Sequence, residues 1–298
     1  MTLEQLRIFV AVAEREHVTR AAELLHLTQA AASAAVAALE TQHGVKLFDR
    51  VGRNVALTAA GRQFLPEAKE LLARATATEA ALADFAGLKR GRLTVHASQT
   101  IAGYFLPAVM ARMRKEHPGL SVELGIGNTA QVARALREGA AELGFVEGPL
   151  DEADLQVEEV AGERMAVIAP PGHSWARGGA LTPGDLRRAE WVFREPGSGT
   201  REAFLAALAG LGVRFEDLNI VLTLPSNEAV REAVAAGAGV ACLSPLVCGR
   251  TLELGVVRRA NLLLPPRVFN AVQQKGRYVS QAAAVFLQAA RRQPAVRW

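Results

Sequence analysis

Three short segments of the sequence place hydroxyl and amide side chains where helices are expected to begin. They are Ser98-Gln99-Thr100, Asn128-Thr129 and Pro196-Gly197-Ser198-Gly199-Thr200. The first N–H groups of a helix have no partner inside the helix, and they carry a partial positive charge. Three such starts converging on one cleft would suit a small anion, such as a carboxylate, sulfate or phosphate. Ordinary N-capping by Ser and Thr explains the same residues without a ligand, and this alternative stays open.

The residue types that catalysis or metal binding requires are not arranged for either. The six histidines, at positions 17, 26, 43, 96, 117 and 173, follow no nucleophile or metal-ligand spacing. The Pro196–Thr200 segment is not a Walker loop, because no Gly-Lys-Ser/Thr follows it. Cys242 and Cys248 have no neighbouring His, so we expect small buried side chains in a reducing compartment. The sequence therefore predicts no enzyme, no metal site and no cofactor beyond a small-molecule effector.

A second group of polar residues lies in a stretch with little charge. TRAAELLHLTQAAASAAVAALE, residues 19–40, consists of two Ala-rich runs separated by Leu27-Thr28-Gln29. We predict two short helices, of which the later one is capped by Thr28 and ended by Gly44. Small or uncharged residues form its expected outward face: Gln29, Ala30, Ser33, Ala34 and Ala37. Such a face can approach another surface closely, although burial on both sides in a larger core is an alternative.

Basic residues are concentrated directly after this helix. From Lys46 to Arg62 the chain has four basic residues and one acidic residue, a net charge of 4 − 1 = +3. Apolar residues on both sides of Gly52 and Asn54 predict a short hairpin with Arg53 at its tip. A presented helix followed by a basic hairpin predicts a winged helix-turn-helix, in which the helix enters the major groove of DNA and the wing contacts phosphates or the minor groove.

Length and composition set the wider frame. The chain has 298 residues, of which 50% are apolar and 21% charged, which suits two or three globular domains. The net charge of +4 permits a polyanionic partner without requiring one. No apolar run reaches the ~18 residues of a membrane span, and the N-terminus lacks a signal-peptide pattern. We therefore expect a cytoplasmic protein with no membrane partner.

A long helix is expected after the hairpin, with Thr58 as its cap and a kink at Pro66. A coiled-coil-like seam is predicted from apolar residues at a three-four spacing, interrupted by Glu79. The seam consists of Leu65, Ala68, Leu72, Ala75, Leu82 and Phe85. It predicts a homodimer through residues 59–88, and packing against the chain itself is the alternative. A Gly-containing basic linker follows at 87–92.

From residue 92 onward, strand and helix patterns alternate. The segments LTVHAS, LSVELGIG and AELGFVEG predict strands with helices between them, and WVFRE, NIVLTL and GVACLSPL predict a second such series. Each series implies a mostly parallel sheet with helices on its faces. RVFNAVQQKG returns the chain to the first sheet. We therefore expect lobe I at about 91–165 and 266–298, lobe II at about 166–265, and a cleft between them.

These segments resemble the LysR-type transcriptional regulators over essentially the whole chain. LRIFVAVAE, TRAAELLHLTQ, ALE…GVKLFDR and LTAAGR follow the order and spacing of the family's signature segments. ASQT at 97–100 and REPGSGTRE at 194–202 resemble parts of its effector domain. One departure is informative, because the family's usual Thr-Gln-Pro is replaced here by Thr28-Gln29-Ala30. The missing proline leaves the direction of the helix start less fixed, but we do not expect it to abolish the fold.

The resemblance implies a fold class and domain boundaries. It implies an N-terminal winged helix-turn-helix, mainly α, a long linker helix, and a C-terminal α/β two-lobe domain like type 2 periplasmic binding proteins. The DNA-binding domain would comprise residues 1–58, the linker and dimerisation helix 59–90, and the effector-binding domain 91–298.

The resemblance also implies site residues. DNA contacts are expected from Thr28, Gln29, Ala30, Ser33, Arg50 and Arg53. The helix starts described above, rather than the resemblance, predict effector contacts from Ser98, Gln99, Thr100, Thr129, Ser198 and Thr200. Gln29 can bond an adenine edge through two hydrogen bonds, and Ala30 can touch a thymine methyl group. An exposed helix serine is the alternative for Ser33, and a salt bridge to Asp49 is the alternative for Arg50.

The expected function is a sequence-specific DNA-binding transcriptional regulator. Its partners would be double-stranded DNA at a partly palindromic promoter site, a small anionic metabolite between the lobes, and further copies of itself as a homodimer or homotetramer. REPGSGTRE most resembles family members that control carbon fixation or sulfur metabolism, which suggests sugar phosphates, nicotinamide phosphates or sulfur anions. A small-molecule-binding protein or enzyme whose N-terminal helices only mediate oligomerisation is the alternative, and the Gln/Ser helix with its basic hairpin favours the regulator.

Overall fold

The computed structural model describes residues 1–52, 54–85, 91–148, 150 and 152–293. Its internal contacts divide the chain into two compact units. The first comprises Met1–Leu82 with Arg137–Ala140, and the second comprises Ala83–Leu136 with Ala141–Trp298.

The first unit contains helices followed by a hairpin: α1 (Leu3–Arg15), α2 (Val18–Leu24), α3 (Gln29–His43), β1 (Phe48–Val51), β2 (Asn54–Leu57) and α4 (Ala59–Phe85). Thr2 closes a capping box on α1, and Thr28 caps α3, which confirms the expected cap. Gly44 ends α3 with a φ of 65°, a left-handed conformation that glycine adopts without steric cost. The Ala-rich stretch is therefore two helices with a break. The earlier helix begins at Val18, capped by His17, rather than at Thr19 as expected.

Small residues let these helices pack closely in the first unit. Ala21, Ala22 and Ala32 are almost completely buried and lie in one apolar cluster with Ile8 and Val12. β1 and β2 pair antiparallel, as predicted for the hairpin.

No described helix is by itself long and apolar enough to cross a membrane, and α2 with α3 meets that test only as a pair bent by 108°.

The long helix α4 is one element through Pro66, and Thr58 Oγ1 accepts a hydrogen bond from Gly61 N at 3.0 Å as its cap. Ala68 is buried, and Leu65 and Leu72 pack against the same apolar cluster of the first unit. The first half of the predicted seam therefore packs on its own chain, which was the alternative. Leu82 remains 67% exposed. The side chain of Phe85 and the basic linker up to Arg90 lie outside the described residues, and dimerisation through α4 stays a prediction.

The second unit alternates strands and helices: β3 (Gly91–Ser98), α5 (Leu106–Glu116), β4 (Leu120–Gly127), α6 (Thr129–Arg137), β5 (Leu143–Glu147), β6 (Leu155–Arg164), β7 (Ala166–Ala169), α7 (Pro183–Arg188), β8 (Glu190–Arg194), α8 (Gly199–Gly210), β9 (Asn219–Leu224), α9 (Asn227–Ala235), β10 (Ala241–Leu243), α10 (Pro245–Glu253), β11 (Arg258–Arg259), β12 (Pro266–Gln274) and α11 (Gln281–Arg291). A π-helix, Ile101–Phe105, precedes α5.

The lobe I sheet has five strands in the order β4-β3-β5-β12-β6. β3 is parallel to both β4 and β5, as expected, whereas β12 is antiparallel to β5 and β6. The expectation of a mostly parallel sheet is therefore wrong for its second half. Apolar residues of β3, β5 and β12 pack against α5 and α11 to form the lobe I core, in which Phe105 and Phe269 meet edge to face.

Lobe II is also mixed. β7 lies between β10 and β11, antiparallel to both, while β8 and β9 form a parallel pair. Trp191 on β8 is buried in its core, and its indole N–H donates to Leu186 O at 2.8 Å. Cys242 and Cys248 are buried and free, as predicted, and burial raises the pKa of the Cys248 thiol to about 12. Both thiols are therefore protonated at neutral pH.

Candidate functional site

Two of the predicted helix-start and strand-end residues lie beside one buried carboxylate. Ser98 ends β3, Thr200 is the second residue of α8, and both hydroxyls donate to the carboxylate of Glu147, which ends β5. The Thr200 Oγ1 to Glu147 Oε1 distance is 3.3 Å. β3 and β5 are parallel neighbours, so their carboxyl ends open at the same edge of the sheet. Ser98 and Glu147 of lobe I thus meet Thr200 of lobe II.

Arg267 of β12 connects this carboxylate to a second one. Its Nη1 atom lies 3.9 Å from Glu147 Oε1 and donates to Thr200 Oγ1 at 3.2 Å. The same guanidinium donates to Glu163 through Nε, at 2.8 Å, and through Nη2. Glu163 also accepts from Ser244 Oγ at 2.6 Å. One positive charge therefore serves two buried carboxylates.

Gln99 and Thr100 contact lobe II through a different residue, Asn227 at the start of α9. Asn227 N donates to Gln99 Oε1 at 3.1 Å, and Asn227 Nδ2 donates to Thr100 Oγ1 at 3.1 Å. Gln99 Nε2 donates to Pro225 O at 2.8 Å. Arg194, only 4% exposed, donates in turn to Asn227 Oδ1. These bonds hold the cleft edges of the two lobes together, so Gln99 and Thr100 have protein partners in this state.

Thr129 differs from the other hydroxyl residues because it has no partner. It is the first residue of α6, and Asn128 caps the helix by accepting from Gln131 N at 3.0 Å. Within the described part of the chain, Thr129 Oγ1 is buried and makes no hydrogen bond. The N-capping alternative therefore does not account for this hydroxyl. Ser198, by contrast, caps α8, because its Oγ accepts from Arg201 N at 3.5 Å.

A close approach of backbones positions the start of α8 at this cluster. A Cβ atom built on Gly199 would lie 2.1 Å from Glu147 O and 2.6 Å from Thr129 Oγ1. Only glycine fits there, so Gly199 brings the first turn of α8 against the end of β5 and the start of α6. Close packing therefore explains why this segment has glycine at position 199.

Two further arginines lie on the lobe II side. Arg194 pairs with Glu195 through Nε and Nη2 at 2.7 and 2.9 Å. Burial alone would raise the pKa of the Glu195 carboxyl, but the Arg194 hydrogen bonds outweigh it and the pKa is lowered. Arg201 lies 4.7 Å from the Phe215 ring centroid and donates to Arg194 O at 3.0 Å.

The sequence interpretation missed the four charged members of this cluster and the amide of Asn227. Glu147, Glu163, Arg194, Asn227 and Arg267 come from five separate elements. Glu147 ends a buried strand and Asn227 opens a predicted helix. Ser98 and Thr129 were identified because polar residues at strand ends and helix starts can line a cleft, and the same rule could have found these two residues. Glu163 and Arg267 meet only because β6 pairs with β12 in the register that places their Cα atoms opposite each other.

The second candidate site is the outward face of α3. Thr28, Gln29 and Ala30 are exposed and Ser33 is half-buried. Gln29 Nε2 donates to Ser33 Oγ at 2.9 Å, whereas Thr28 Oγ1 accepts from Ala31 N at 3.1 Å as the helix cap. The face is therefore not buried in a larger core within its own unit.

A groove separates this face from the β1–β2 hairpin, and its lining includes Gln29, Ser33, Arg50 and Asn54. Arg50 is exposed, and no ion pair joins it to Asp49 among the described residues, so the salt-bridge alternative is not observed. Arg53, which the sequence predicts at the hairpin tip, lies outside the described residues. Two polar side chains of α3 and one basic side chain of the hairpin thus line the same groove.

Glu40 fixes the hairpin to α3 and was not predicted. Its buried carboxylate accepts from Lys46 Nζ at 2.7 Å, Leu47 N at 2.8 Å and Phe48 N at 3.1 Å. Burial alone would raise the pKa of this carboxyl, but these hydrogen bonds outweigh it and the pKa is lowered. Lys46 is consequently paired inside the unit, which reduces the basic charge that the sequence assigned to the hairpin.

Comparison with known proteins identifies both units. Residues 3–62 match the family model of the bacterial regulatory helix-turn-helix protein, lysR family, and residues 86–295 match the LysR substrate binding domain. The chain is 35% identical over 289 residues to the uncharacterized HTH-type transcriptional regulator YeiE of Escherichia coli K12, which covers 96% of each chain. It is 32% identical over 292 residues to the RuBisCO operon transcriptional regulator of Allochromatium vinosum, which covers 96% of this chain and 94% of that protein.

A solved structure supports the fold of the second unit. The regulatory domain of Synechocystis PCC6803 CcmR in complex with 2-PG superposes with a TM-score of 0.62 and 25% identity, over 68% of this chain and 96% of that chain. The chain belongs to the LysR family of bacterial transcriptional regulators, which bind DNA, carry an effector-binding domain and are not enzymes.

Proposed function

We propose that this regulator recognises a specific DNA sequence through α3 and the hairpin, and that a small anion bound between lobes I and II changes its activity. Residues 1–58 would bind DNA, residues 59–90 would link and dimerise the chain, and residues 91–298 would bind the effector. A dimer implies a partly palindromic DNA site, because the two helices α3 are then related by two-fold symmetry.

The observation that carries the effector proposal is the convergence of donors from both lobes. Ser98, Thr200 and the Arg267 guanidinium all point to one oxyanion group, the carboxylate of Glu147. The unpartnered hydroxyl of Thr129 lies against the same helix start. Buried polar groups normally have partners, so an unpartnered hydroxyl beside such donors supports a ligand.

The names of similar proteins support the chemical class. One relative is a regulator of a RuBisCO operon, and the regulatory domain of CcmR was solved in complex with 2-PG. We therefore include phosphorylated metabolites with inorganic sulfur and phosphorus oxyanions among the effectors to test first. Neutral hydroxyl and amide donors suit reversible binding, because they avoid the desolvation cost of a full new ion pair.

Effector binding is proposed to act through closure of the cleft. Asn227 connects Arg194 of lobe II to Thr100 of lobe I, so a ligand in the cleft would change the set of bonds that holds the lobes together. A difference of about 1–3 kcal/mol between two states is enough for useful regulation. That difference would reach DNA through the spacing or angle of the two DNA-binding domains in the dimer.

Thermal-shift and calorimetric measurements on the full chain test the effector site. The ligands to compare are sulfate, sulfite, inorganic phosphate, sugar phosphates and nicotinamide phosphates. At least one should stabilise the wild type, and Thr200→Val should weaken that ligand at least ~10-fold, equivalent to about 1.4 kcal/mol. Thr223→Val, which removes an exposed hydroxyl from β9, is the matched control and should bind like wild type.

Two results would overturn the effector proposal. The first is that none of these anions binds to the wild-type chain. The second is that Thr100→Val, Thr129→Val and Thr200→Val all leave the affinity unchanged, in which case these hydroxyls serve only the structure of the cleft.

A further inference from the structure

We propose that Glu147 is a tethered competitor of the effector. Its carboxylate occupies the donors that an effector anion requires, and the effector binds by displacing it. This inference rests on the proposed anion site and adds a residue that sets both its affinity and its selectivity.

The first step of the argument is the chemistry of the donors around Glu147. The carboxylate accepts from Ser98 Oγ and from Thr200 Oγ1, and Arg267 Nη1 lies 3.9 Å away. Hydroxyls and a guanidinium are the donors expected for a sulfate- or phosphate-like oxyanion. In this state the protein's own carboxylate fills the place of such a ligand.

The second step is the fit of Glu147 to those donors, which is incomplete. The Thr200 hydrogen bond of 3.3 Å is longer than the usual range for O–H···O bonds, which is about 2.5–3.0 Å. The 3.9 Å separation from Arg267 is an ion pair without a direct hydrogen bond. Thr129 Oγ1 stays unpartnered nearby. An oxyanion with three or four oxygens could use donors that a two-oxygen carboxylate leaves unsatisfied.

The third step is the charge of the cluster. Glu147 and Glu163 are 2% and 4% exposed, and both rely on Arg267, which is 5% exposed. Two carboxylates and one guanidinium give a buried net charge of 1 − 2 = −1. An additional anion beside both carboxylates would be strongly unfavourable in this dry environment. Anion binding and the present position of Glu147 therefore exclude each other.

The fourth step decides which carboxylate moves. Glu163 is fixed by two bonds from Arg267 and one from Ser244, and it lies inside the β6–β12 ladder. Glu147 is the last residue of β5 and is followed by Gly148, which has a φ of 90°. Within the described residues, the Glu147 carboxylate accepts only from the Ser98 and Thr200 hydroxyls and has no hydrogen bond from Arg267, so fewer bonds oppose its reorientation. Glu147 is therefore the carboxylate that the anion displaces.

The expected ligand is consequently an oxyanion with more acceptor oxygens or more charge than a carboxylate. A simple monocarboxylate would exchange one equivalent group for another and gain little. Phosphate- and sulfate-like groups would gain the donors that Glu147 leaves unused. Glu147 thus discriminates by class of anion and sets the concentration at which the effector acts.

Isothermal titration of inorganic phosphate and inorganic sulfate into the full chain tests this inference. Glu147→Gln removes the charge and keeps an acceptor for Ser98, and Glu147→Ala removes the competing group altogether. Both variants should bind the anions at least ~10-fold more tightly than wild type. Glu142→Gln is the control, because Glu142 is another partly buried carboxylate that accepts from Ser280 N at 2.7 Å, outside this cluster. It should bind like wild type.

The possible outcomes separate this inference from the proposed function. Wild-type binding with equal or weaker binding by the folded Glu147 variants would overturn the competitor role and leave the anion site standing. Tighter binding by Glu142→Gln as well would mean that any lost carboxylate has this effect, which also overturns it. No binding of either anion by wild type and by both Glu147 variants would overturn the inference. Acetate should bind none of the proteins more tightly than phosphate does, and the reverse order would contradict the selectivity.

Discussion

Gln29 Nε2 donates a hydrogen bond to Ser33 Oγ one turn further along α3, at 2.9 Å. The two side chains proposed to contact bases are therefore ordered by each other before any DNA is bound. The bond uses one of the two amide protons of Gln29 and leaves its carbonyl oxygen free to accept. Ordering a long polar side chain in advance lowers the entropy lost on binding.

Gln29→Ala should reduce affinity for the cognate site by about 1–3 kcal/mol and relax specificity at one base position. Ser33→Ala should have a smaller effect, since it removes one hydroxyl contact and frees the Gln29 amide from its hydrogen bond. Selection from a random DNA library, followed by competition with single-base variants, measures both. Gln63→Ala, on the exposed side of α4, should change neither quantity. An unchanged base preference in Gln29→Ala would show that α3 is not the reading helix.

Arg50→Ala, and separately Arg53→Ala, should weaken binding to all DNA sequences alike. Each should reduce the slope of log affinity against log salt by about 1, because one phosphate contact and its released counterion are lost. Arg74→Ala is a suitable control, since Arg74 is exposed on α4 and paired with Glu70 at 3.2 Å. Fluorescence anisotropy over a salt series gives the slopes. An unchanged slope in both hairpin variants would remove the hairpin from the interface.

Glu40→Gln should destabilise the first unit by about 1–3 kcal/mol near neutral pH, because the bonds to Lys46 and to two backbone N–H groups are weakened. The folded-state pKa of Glu40 is lowered, so its contribution is present above the ordinary carboxyl pKa and is lost as pH falls through the lowered value. Thermal unfolding of wild type and variant should therefore differ most near pH 7 and converge in acid. A difference that is the same at pH 7 and pH 3 would contradict this electrostatic role.

Gly199→Ala should destabilise the second unit by about 1–3 kcal/mol, since the new methyl group would lie against Glu147 O and force α8 to shift. It should also weaken anion binding, because that shift moves Thr200. Gly210→Ala is the matched control in the same helix, where an added Cβ meets nothing within 4 Å. Denaturant unfolding should show little change for the control. Equal stability of the two variants would mean that the start of α8 is not closely packed.

The predictable part of the structure is the part that local pattern determines. Thr28 and Thr58 cap helices where the sequence predicts, because capping depends on residues only three positions apart. β6 was missed because it is an edge strand whose sequence, LQVEEVAGER, has no regular alternation of apolar and polar residues. The antiparallel return of β12 beside β5 was missed because strand order depends on contacts distant in sequence.

The candidate site divides in the same way. Ser98 and Thr200 were predicted because a strand end and a helix start are local features. Arg267 was not, because its role depends on a cross-strand register between segments about a hundred residues apart, as the Arg267–Glu163 separation of 104 residues illustrates. The sequence therefore predicts the hydroxyl donors of the proposed anion site, whereas its charged residues come together only in the folded chain.

The most direct test of the account is the effect of the stabilising anion on DNA binding by wild type and by Thr200→Val, measured as fluorescence anisotropy on the selected operator. The apparent Kd of wild type for DNA should change by about 5–150-fold when the protein is saturated with the anion, which corresponds to a coupling of about 1–3 kcal/mol. Thr200→Val should bind DNA like ligand-free wild type and lose that response at the same anion concentration. An identical response in both proteins, or none in wild type at saturation, would contradict the claim that an anion between the lobes controls this regulator.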